Sequence, residues 1–192
     1  MRTDIMVDIE TLGRQSDSTI IQISAIAFDI STGKHISKFN EVADISKNEN
    51  PLVTDGSTIK WWLKTNHDLL KELLLLRGNK SSEDIIRDFH KWIKHFFHDT
   101  SKNVYLWGNG ILFDNKMIQH QMEKLGLEYP IFYRNDRDVR TIVDLTAAKL
   151  GSEEEELKEG FNDDSLVAHD AFDDVKYQIN LVTGCYRELT EL

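Results

Sequence analysis

The stretch IMVDIETLG, residues 5–13, places two acids, Asp8 and Glu10, inside an apolar run near the start of the chain. Its composition predicts a β-strand, in which successive side chains point to opposite faces. Asp8 and Glu10 then share one face with Met6. Two carboxylates this close repel each other and are costly to bury without cations beside them. The stretch is therefore either an edge strand with one wet face or part of a cation-binding site.

The composition of the 192 residues is that of one globular domain, with 40% apolar residues, ten Gly and two Pro. A net charge of -10 argues against a broad basic surface that grips long duplexes. The single Cys185 cannot form an internal disulfide, and no Cys/His cluster suggests zinc, which indicates a reducing compartment. The sequence shows no signal peptide and no apolar run that could span a membrane. We expect residues 1–192 to form a single cytoplasmic domain with no membrane contact.

The remaining patterns predict an α/β fold. Strands are predicted at 4–10, 20–29, 37–44 and 103–109, the first three as an antiparallel meander. Helices are predicted at 57–65, 67–77, 82–98, 113–125, 140–151 and 169–189. The segment 152–160, which is rich in Glu, is interpreted as a solvated loop or a helix start. Together these elements predict a mixed sheet, with three antiparallel strands first and helices on its faces.

A metal site on the first strand would require acids from elsewhere in the chain. Asp114 follows the fourth strand at the start of a helix, where an acid can also serve only the helix dipole. Asp144 is flanked by apolar residues and is better explained by a contact with a helix N-terminus or a backbone amide. Neither acid by itself identifies a metal site.

The segment HDAFDD, residues 169–174, brings a His and three Asp to the start of the last helix. Helical periodicity places Asp174 nearest the packing stripe, while Asp170 and Asp173 project further toward solvent. His169 stands at the helix entrance, where it either approaches the same site or acts as a capping or surface residue.

The motifs VDIETLG, NGILFD and HDAFDD resemble, in order and spacing, the three motifs of the DEDDh (DnaQ-like) family of 3'-to-5' exonucleases. The resemblance spans residues 5–180 and implies a ribonuclease H-like fold with a mixed five-stranded sheet. It also implies that the chain binds two divalent cations, Mg²⁺ or Mn²⁺, which suit oxygen ligands and phosphoryl chemistry. The implied cation ligands are Asp8, Glu10, Asp114 and Asp174, with His169 as the general base.

The resemblance implies substrate contacts as well. Thr11 and Leu12 match positions that contact the terminal nucleotide, with Leu12 wedged against its base, although packing of Leu12 in the core is an equal alternative. Asn109 and Phe113 belong to the second motif, and Asn109 is expected to orient the substrate or the local turn.

Adjacent Trp61 and Trp62 point about 100° apart on a helix, so one is expected to pack while the other stacks against a base. This pair resembles a subgroup of short bacterial exoribonucleases and phage or recombination-type exonucleases. In the segment 133–140, Arg137 is expected to contact phosphate together with Arg134 and Arg140.

The leading prediction is a metal-dependent 3'-to-5' exonuclease that releases nucleoside monophosphates from single-stranded 3' ends, with RNA slightly favoured over DNA. A DNA-specific exonuclease is the close alternative. A catalytically silent nucleic-acid-binding module and a metal phosphatase for small molecules are the alternatives from other classes. The sequence leaves open whether the chain forms a homodimer.

Overall fold

The structure, a computed structural model, describes residues 2–98, 101–163 and 165–191. It contains one five-stranded sheet of order β3-β2-β1-β4-β5. The strands are β1 (Thr3–Thr11), β2 (Ile20–Phe28), β3 (His35–Val42), β4 (Val104–Gly108) and β5 (Asp136–Asp138). Strands β1 to β3 pair antiparallel, whereas β4 pairs parallel with both β1 and β5. The predicted mixed sheet with three antiparallel strands first is confirmed.

Seven α-helices occur in the described part of the chain. They are α1 (Gly56–Thr65), α2 (His67–Glu72), α3 (Ser82–Lys94), α4 (Asp114–Lys124), α5 (Val139–Leu150), α6 (Glu154–Glu159) and α7 (Ala171–Thr190). A π-helical turn, Leu73–Arg77, follows α2 directly, so the helix predicted at 67–77 changes its hydrogen-bonding pattern halfway. None of these helices combines the length and apolar character needed to cross a lipid bilayer.

Strand β1 lies in the middle of the sheet, with β2 on one side and β4 on the other. The interpretation of residues 5–13 as an edge strand is therefore wrong. Alternate residues of β1 enter two different cores: Ile5 and Val7 pack with residues of α3 and α4, whereas Met6 packs with residues of α5 and α7. The acids that share a face with Met6 consequently lie on the α7 side of a buried strand.

Candidate active site

Three of the four predicted cation ligands meet on the α7 side of the sheet. Asp8 and Glu10 come from β1, and Asp174 comes from the first turn of α7. One carboxylate oxygen from each lies within 4.8 Å of the others. Glu10 is buried, while Asp8 and Asp174 are half-buried. Two segments more than 160 positions apart thus form one acidic cluster, defined here as Asp8, Glu10 and Asp174.

A strip of polar side chains lies beside this cluster on the same face of the sheet. In the antiparallel register, Asp8 lies opposite Ser24 and Glu10 lies opposite Gln22, which places all four side chains on one face. Asn40 on β3 extends the strip, because its Oδ1 accepts hydrogen bonds from Ser24 Oγ at 2.8 Å and from Gln22 Nε2 at 3.1 Å. The face that is apolar at Met6 therefore becomes polar toward the end of β1.

Asp114 reaches the same end of β1 because β4 stops short. The β1–β4 pairing ends at Met6 and Trp107, and the chain then turns into α4. Gly108 allows this turn to be tight, since a Cβ there would lie 2.3 Å from the side-chain oxygen of Asn115. Asp114 is buried at the start of α4 and lies outside the group of three, but its charge is the largest neighbouring contribution that raises the pKa of Asp8.

All four acids are held in an environment that disfavours their charged forms. Burial, followed by the charges of Asp114 and Asp174, raises the pKa of Asp8 well above its usual range. Burial, followed by the charge of Asp8, also raises the pKa of Glu10 well above its usual range. Burial raises the pKa of Asp114 to about 7, against the opposing effect of Arg140, and also raises that of Asp174. The protein supplies too little positive charge for four ionised carboxylates.

His169 lies directly against this cluster. Its backbone N–H donates to Asp174 Oδ2 at 3.2 Å, and its charge lowers the pKa of Asp174, so the imidazole is near that carboxylate. Its ring meets the Trp61 ring edge-on, with centroids 4.9 Å apart. His169 adopts a left-handed backbone conformation (φ 68°), which few residues other than Gly adopt. The α7 N-cap is Asp170, so a capping role for His169 is wrong.

Gln178 was not singled out from the sequence, although it contacts the cluster. It lies one helical turn after Asp174, and its Nε2 donates to Asp8 Oδ1 at 3.1 Å. Among the described residues, its buried Oε1 has no hydrogen-bond partner. The spacing of four residues from Asp174 is the sequence signal that places both side chains on one helix face.

A pocket of about 470 Å³ opens beside Glu10. Trp61 and Phe113 form its aromatic walls and are 42% and 37% exposed. Thr11 lines it as well, but the Thr11 hydroxyl already donates to the carbonyl of Gly13 at 2.6 Å. The remaining lining residues are Ile9, Arg14, Ser57, Thr58 and Trp62. Arg14 was not singled out from the sequence, because a lone basic residue carries no periodic signal.

The neighbouring tryptophans take different roles, and Leu12 packs in the core. Trp62 is 1% exposed, and its Nε1 donates to the Thr11 carbonyl at 3.0 Å, so it packs while Trp61 remains exposed. This leaves Trp62 little surface for a substrate. Leu12 is 3% exposed in a core cluster with Trp62 and Leu73. This burial agrees with the core-packing alternative for Leu12, and the wedge role stays a prediction without exposed surface to support it.

Arg137 directs its side chain away from the acids of the cluster. Its guanidinium lies over the Tyr105 ring, 4.8 Å from the centroid, and donates to the carbonyls of Arg134 and Asp136. Tyr105 pairs with Asp4, near the beginning of β1 and away from the acids at its end. Arg137 pairs with Trp107, but its guanidinium turns back over Tyr105 and away from the acids. The structure therefore gives no support to the phosphate contact by Arg137, which stays a prediction.

Three further polar residues considered in the sequence lie outside the acidic cluster. Asp170, expected to face solvent, is buried, because as the N-cap it lies outside the helical periodicity from which that expectation came. Asn109 is exposed in the turn after β4. Asp144 is exposed within α5, so it is neither a helix cap nor part of the acidic cluster.

Comparison with known families connects this geometry to an enzyme class. A family model described as the 3'-5' exoribonuclease Rv2179c-like domain matches residues 3–186. The chain belongs to this family. The match includes every residue of the acidic cluster, and the Rv2179c-like family is one of 3'-to-5' exonucleases, as the DEDDh resemblance implied. A curated relative of the chain, the "Exodeoxyribonuclease" of Enterobacteria phage T4, is 24% identical over 206 residues, covering 96% of this chain and 89% of that protein.

Solved structures show the same fold as this Rv2179c-like chain. Cell-death related nuclease 4 (CRN-4) superposes with a TM-score of 0.68 and 15% identity over 97% of this chain, which spans 64% of CRN-4. The nuclease domain of 3'hExo, a DEDDh family member bound to rAMP, gives a TM-score of 0.62 and 14% identity, with 99% of this chain and 94% of that chain covered. E. coli ExoI in its ssDNA complex gives a TM-score of 0.63 and 15% identity, with 93% of this chain and 39% of that chain covered.

Proposed function

We propose that this chain is a 3'-to-5' exonuclease that depends on two divalent cations and releases nucleoside monophosphates from single-stranded ends. The acidic cluster is the observation that carries this proposal, since three carboxylates from distant segments converge within 4.8 Å. Residues 1–192 would act as one exonuclease domain. A cytoplasmic location and a homodimer stay predictions.

The three side chains of the acidic cluster, together with Asp114, fit hard divalent cations. Within the described ranges, none of the four acids forms an ion pair with Lys or Arg. Burial raises the pKa values of all four, so cations that neutralise them would relieve a real electrostatic cost. Asp8, Glu10, Asp114 and Asp174 offer only oxygen ligands, which suit Mg²⁺ or Mn²⁺.

Each group then has a place in the proposed hydrolysis. When bound, the two cations would supply Lewis acidity for the attacking water and the leaving oxygen. His169 beside Asp174 accepts the proton of the water, since imidazole exchanges protons near neutral pH. The water oxygen adds to phosphorus, the bond to the 3' oxygen breaks, and a nucleoside 5'-monophosphate leaves. Gln178 orients Asp8 through its amide N–H.

The pocket beside Glu10 supports a bound terminal nucleoside. Its volume of about 470 Å³ and its exposed Trp61 and Phe113 rings offer stacking surfaces next to the acids. The family description favours RNA as substrate, and the net charge of -10 disfavours long duplexes. DNA is the second candidate substrate, because the phage T4 relative is named an exodeoxyribonuclease.

The proposal is tested with RNA and DNA oligomers labelled at either the 5' or the 3' end, incubated with Mg²⁺, Mn²⁺ or EDTA. We expect a descending ladder from 5'-labelled strands, immediate release of mononucleotide from 3'-labelled strands, and no cleavage in EDTA. Asp174→Ala and His169→Ala should abolish release while the near-ultraviolet circular dichroism stays that of the native protein. Undiminished cleavage in EDTA would refute the metal-dependent mechanism, and full activity of His169→Ala would refute its role as base.

The same assay distinguishes the functions from other classes. A silent binding module would retain oligomers in a gel shift without shortening them. A small-molecule phosphatase would hydrolyse a phosphate monoester such as p-nitrophenyl phosphate and leave the oligomer intact.

A further inference from the structure

A short ion pair joins the start of α7 to the turn after α2. Arg77 Nη1 donates to Asp170 Oδ2 at 2.6 Å, and the two side chains are 25% and 12% exposed. Asp170 is the residue immediately after His169, and its other oxygen caps α7 by accepting from the Phe172 N–H at 3.0 Å. One carboxylate therefore fixes both the first turn of α7 and its link to Arg77.

Arg77 is itself held to the sheet, so it can act as a fixed anchor. A Cβ on the next residue, Gly78, would lie 2.4 Å from the backbone of Ala43, which shows how closely this segment approaches the end of β3. The Asp44 N–H donates to the Lys80 carbonyl at 2.7 Å. The turn also buries Leu73 completely in the core. Arg77 thus lies between Leu73, which is anchored in the core, and Gly78, which is packed against the end of β3, while Leu75 and Leu76 are exposed.

The backbone around His169 has mainly local support. Its own N–H bonds to Asp174, and the Val167 N–H bonds to Asp173 Oδ2 at 3.0 Å, so both acceptors belong to α7. The left-handed conformation at His169 is one that a non-Gly residue adopts only when its surroundings impose it. The ion pair with Arg77 ties the adjacent residue to a different element and supplies such a constraint.

Arg77 also offsets a fifth negative charge near the acidic cluster. Asp170 lies close enough for its charge to act on Asp8, Glu10 and Asp174. With one oxygen on the Phe172 amide and the other on Arg77, this carboxylate is held in a defined orientation and stays outside the acidic cluster.

We propose that Arg77 is a positioning residue for the exonuclease reaction, which holds His169 in place through Asp170. This inference rests on the proposed function, because it assumes that His169 is the base. Arg77 contacts neither the pocket nor the acidic cluster, so it should affect kcat rather than KM. Loss of a partner that orients a functional side chain typically lowers activity about ten- to hundred-fold.

The test is a double-mutant cycle of Arg77→Met and Asp170→Ser, in which Ser keeps an N-cap for α7 but cannot pair with Arg77. The kcat and KM for cleavage of a single-stranded oligomer are measured in the steady state with Mg²⁺. We expect Arg77→Met to lower the rate about ten-fold or more with KM nearly unchanged. In the Asp170→Ser background the same change should have no further effect, because Arg77 is proposed to act through the Asp170 carboxylate. Arg77→Lys should recover part of the rate, since a single N–H makes the bond to Asp170.

Arg87→Met is the matched control, because Arg87 on α3 also forms ion pairs, with Glu49 and with Asp84, but α3 packs on the opposite face of the sheet from α7. It should leave the rate at the wild-type level. Equal losses from Arg77→Met with and without the Asp170 carboxylate, or a wild-type rate for Arg77→Met, would overturn the inference. Activity retained by His169→Ala alone would instead refute the proposed base, so the two failures are distinguishable.

Discussion

Removing a charge from the acidic site should stabilise the metal-free protein. The pKa of Asp114 is raised from 3.8 to about 7, mainly by burial. At about 1.4 kcal/mol for each pH unit, ionisation of Asp114 at pH 8 costs the folded chain up to about 4 kcal/mol relative to the unfolded chain. Asp114→Asn keeps the size and the acceptor oxygen but carries no charge. We expect it to raise the free energy of unfolding by about 2 to 4 kcal/mol at pH 8 in EDTA.

The sign of the pH dependence follows from the direction of the pKa shift. Between pH 3.8 and about 7 the folded chain binds more protons at Asp114 than the unfolded chain does. Stability of the metal-free wild type should therefore fall as the pH rises through this range, and the advantage of Asp114→Asn should grow with it. Saturating Mg²⁺ should reverse the order, because a cation that binds only the folded state stabilises the wild type.

The assay is urea unfolding at pH 4.5 to 8.5, followed by tryptophan fluorescence, with and without Mg²⁺. Asp88→Asn provides a control of opposite sign, since Lys80 and Lys91 hold the pKa of Asp88 below its ordinary value despite the opposing effect of burial. It should lose a little stability above pH 4, as expected for a partly exposed ion pair. A metal-free wild type that is more stable than Asp114→Asn at pH 8 would refute the electrostatic reasoning.

Three other substitutions test the structural assignments. Trp61→Ala should raise KM for single-stranded oligomers, at a cost of about 1 to 3 kcal/mol in binding, and an unchanged KM would exclude stacking on this exposed ring. Leu12→Ala should lower the free energy of unfolding by about 2 to 5 kcal/mol. Wild-type stability of this variant combined with a raised KM would instead support a contact between Leu12 and the substrate. Gly78→Ala should lower the unfolding midpoint in urea, because its Cβ would meet the Ala43 backbone at 2.4 Å, and an unchanged midpoint would show that this approach is not tight.

Local geometry made part of the fold and of the site predictable. Side chains alternate along any strand, so the pairing of Asp8 and Glu10 on one face followed directly from their spacing. Helical periodicity likewise selected Asp174 as the acid of α7 that approaches the sheet. The family motifs added what periodicity could not supply, namely the prediction that Asp114 and His169 belong to the same site.

Other features depended on partners that no local pattern specifies. Strand β5 consists of Asp136–Asp138, three residues without apolar alternation, and exists because its backbone pairs with β4. That pairing places Arg137 beside Trp107, and the contact with the Tyr105 ring decides the direction of its guanidinium. The short strand could not be identified from sequence because its stability lies in the neighbouring strand rather than in its own side chains.

The sequence alone determined the mixed sheet and predicted a DEDDh-type set of acids on it, because strand and helix periodicities and motif order are properties of nearby residues. It predicted that one of Trp61 and Trp62 would pack, but only the tertiary structure decided which one. The same holds for the burial of Leu12 and for the ion pair between Arg77 and Asp170, residues 93 positions apart. The physical reason is that burial and long-range ion pairing depend on which distant segments pack together, and that is settled by the whole folded chain.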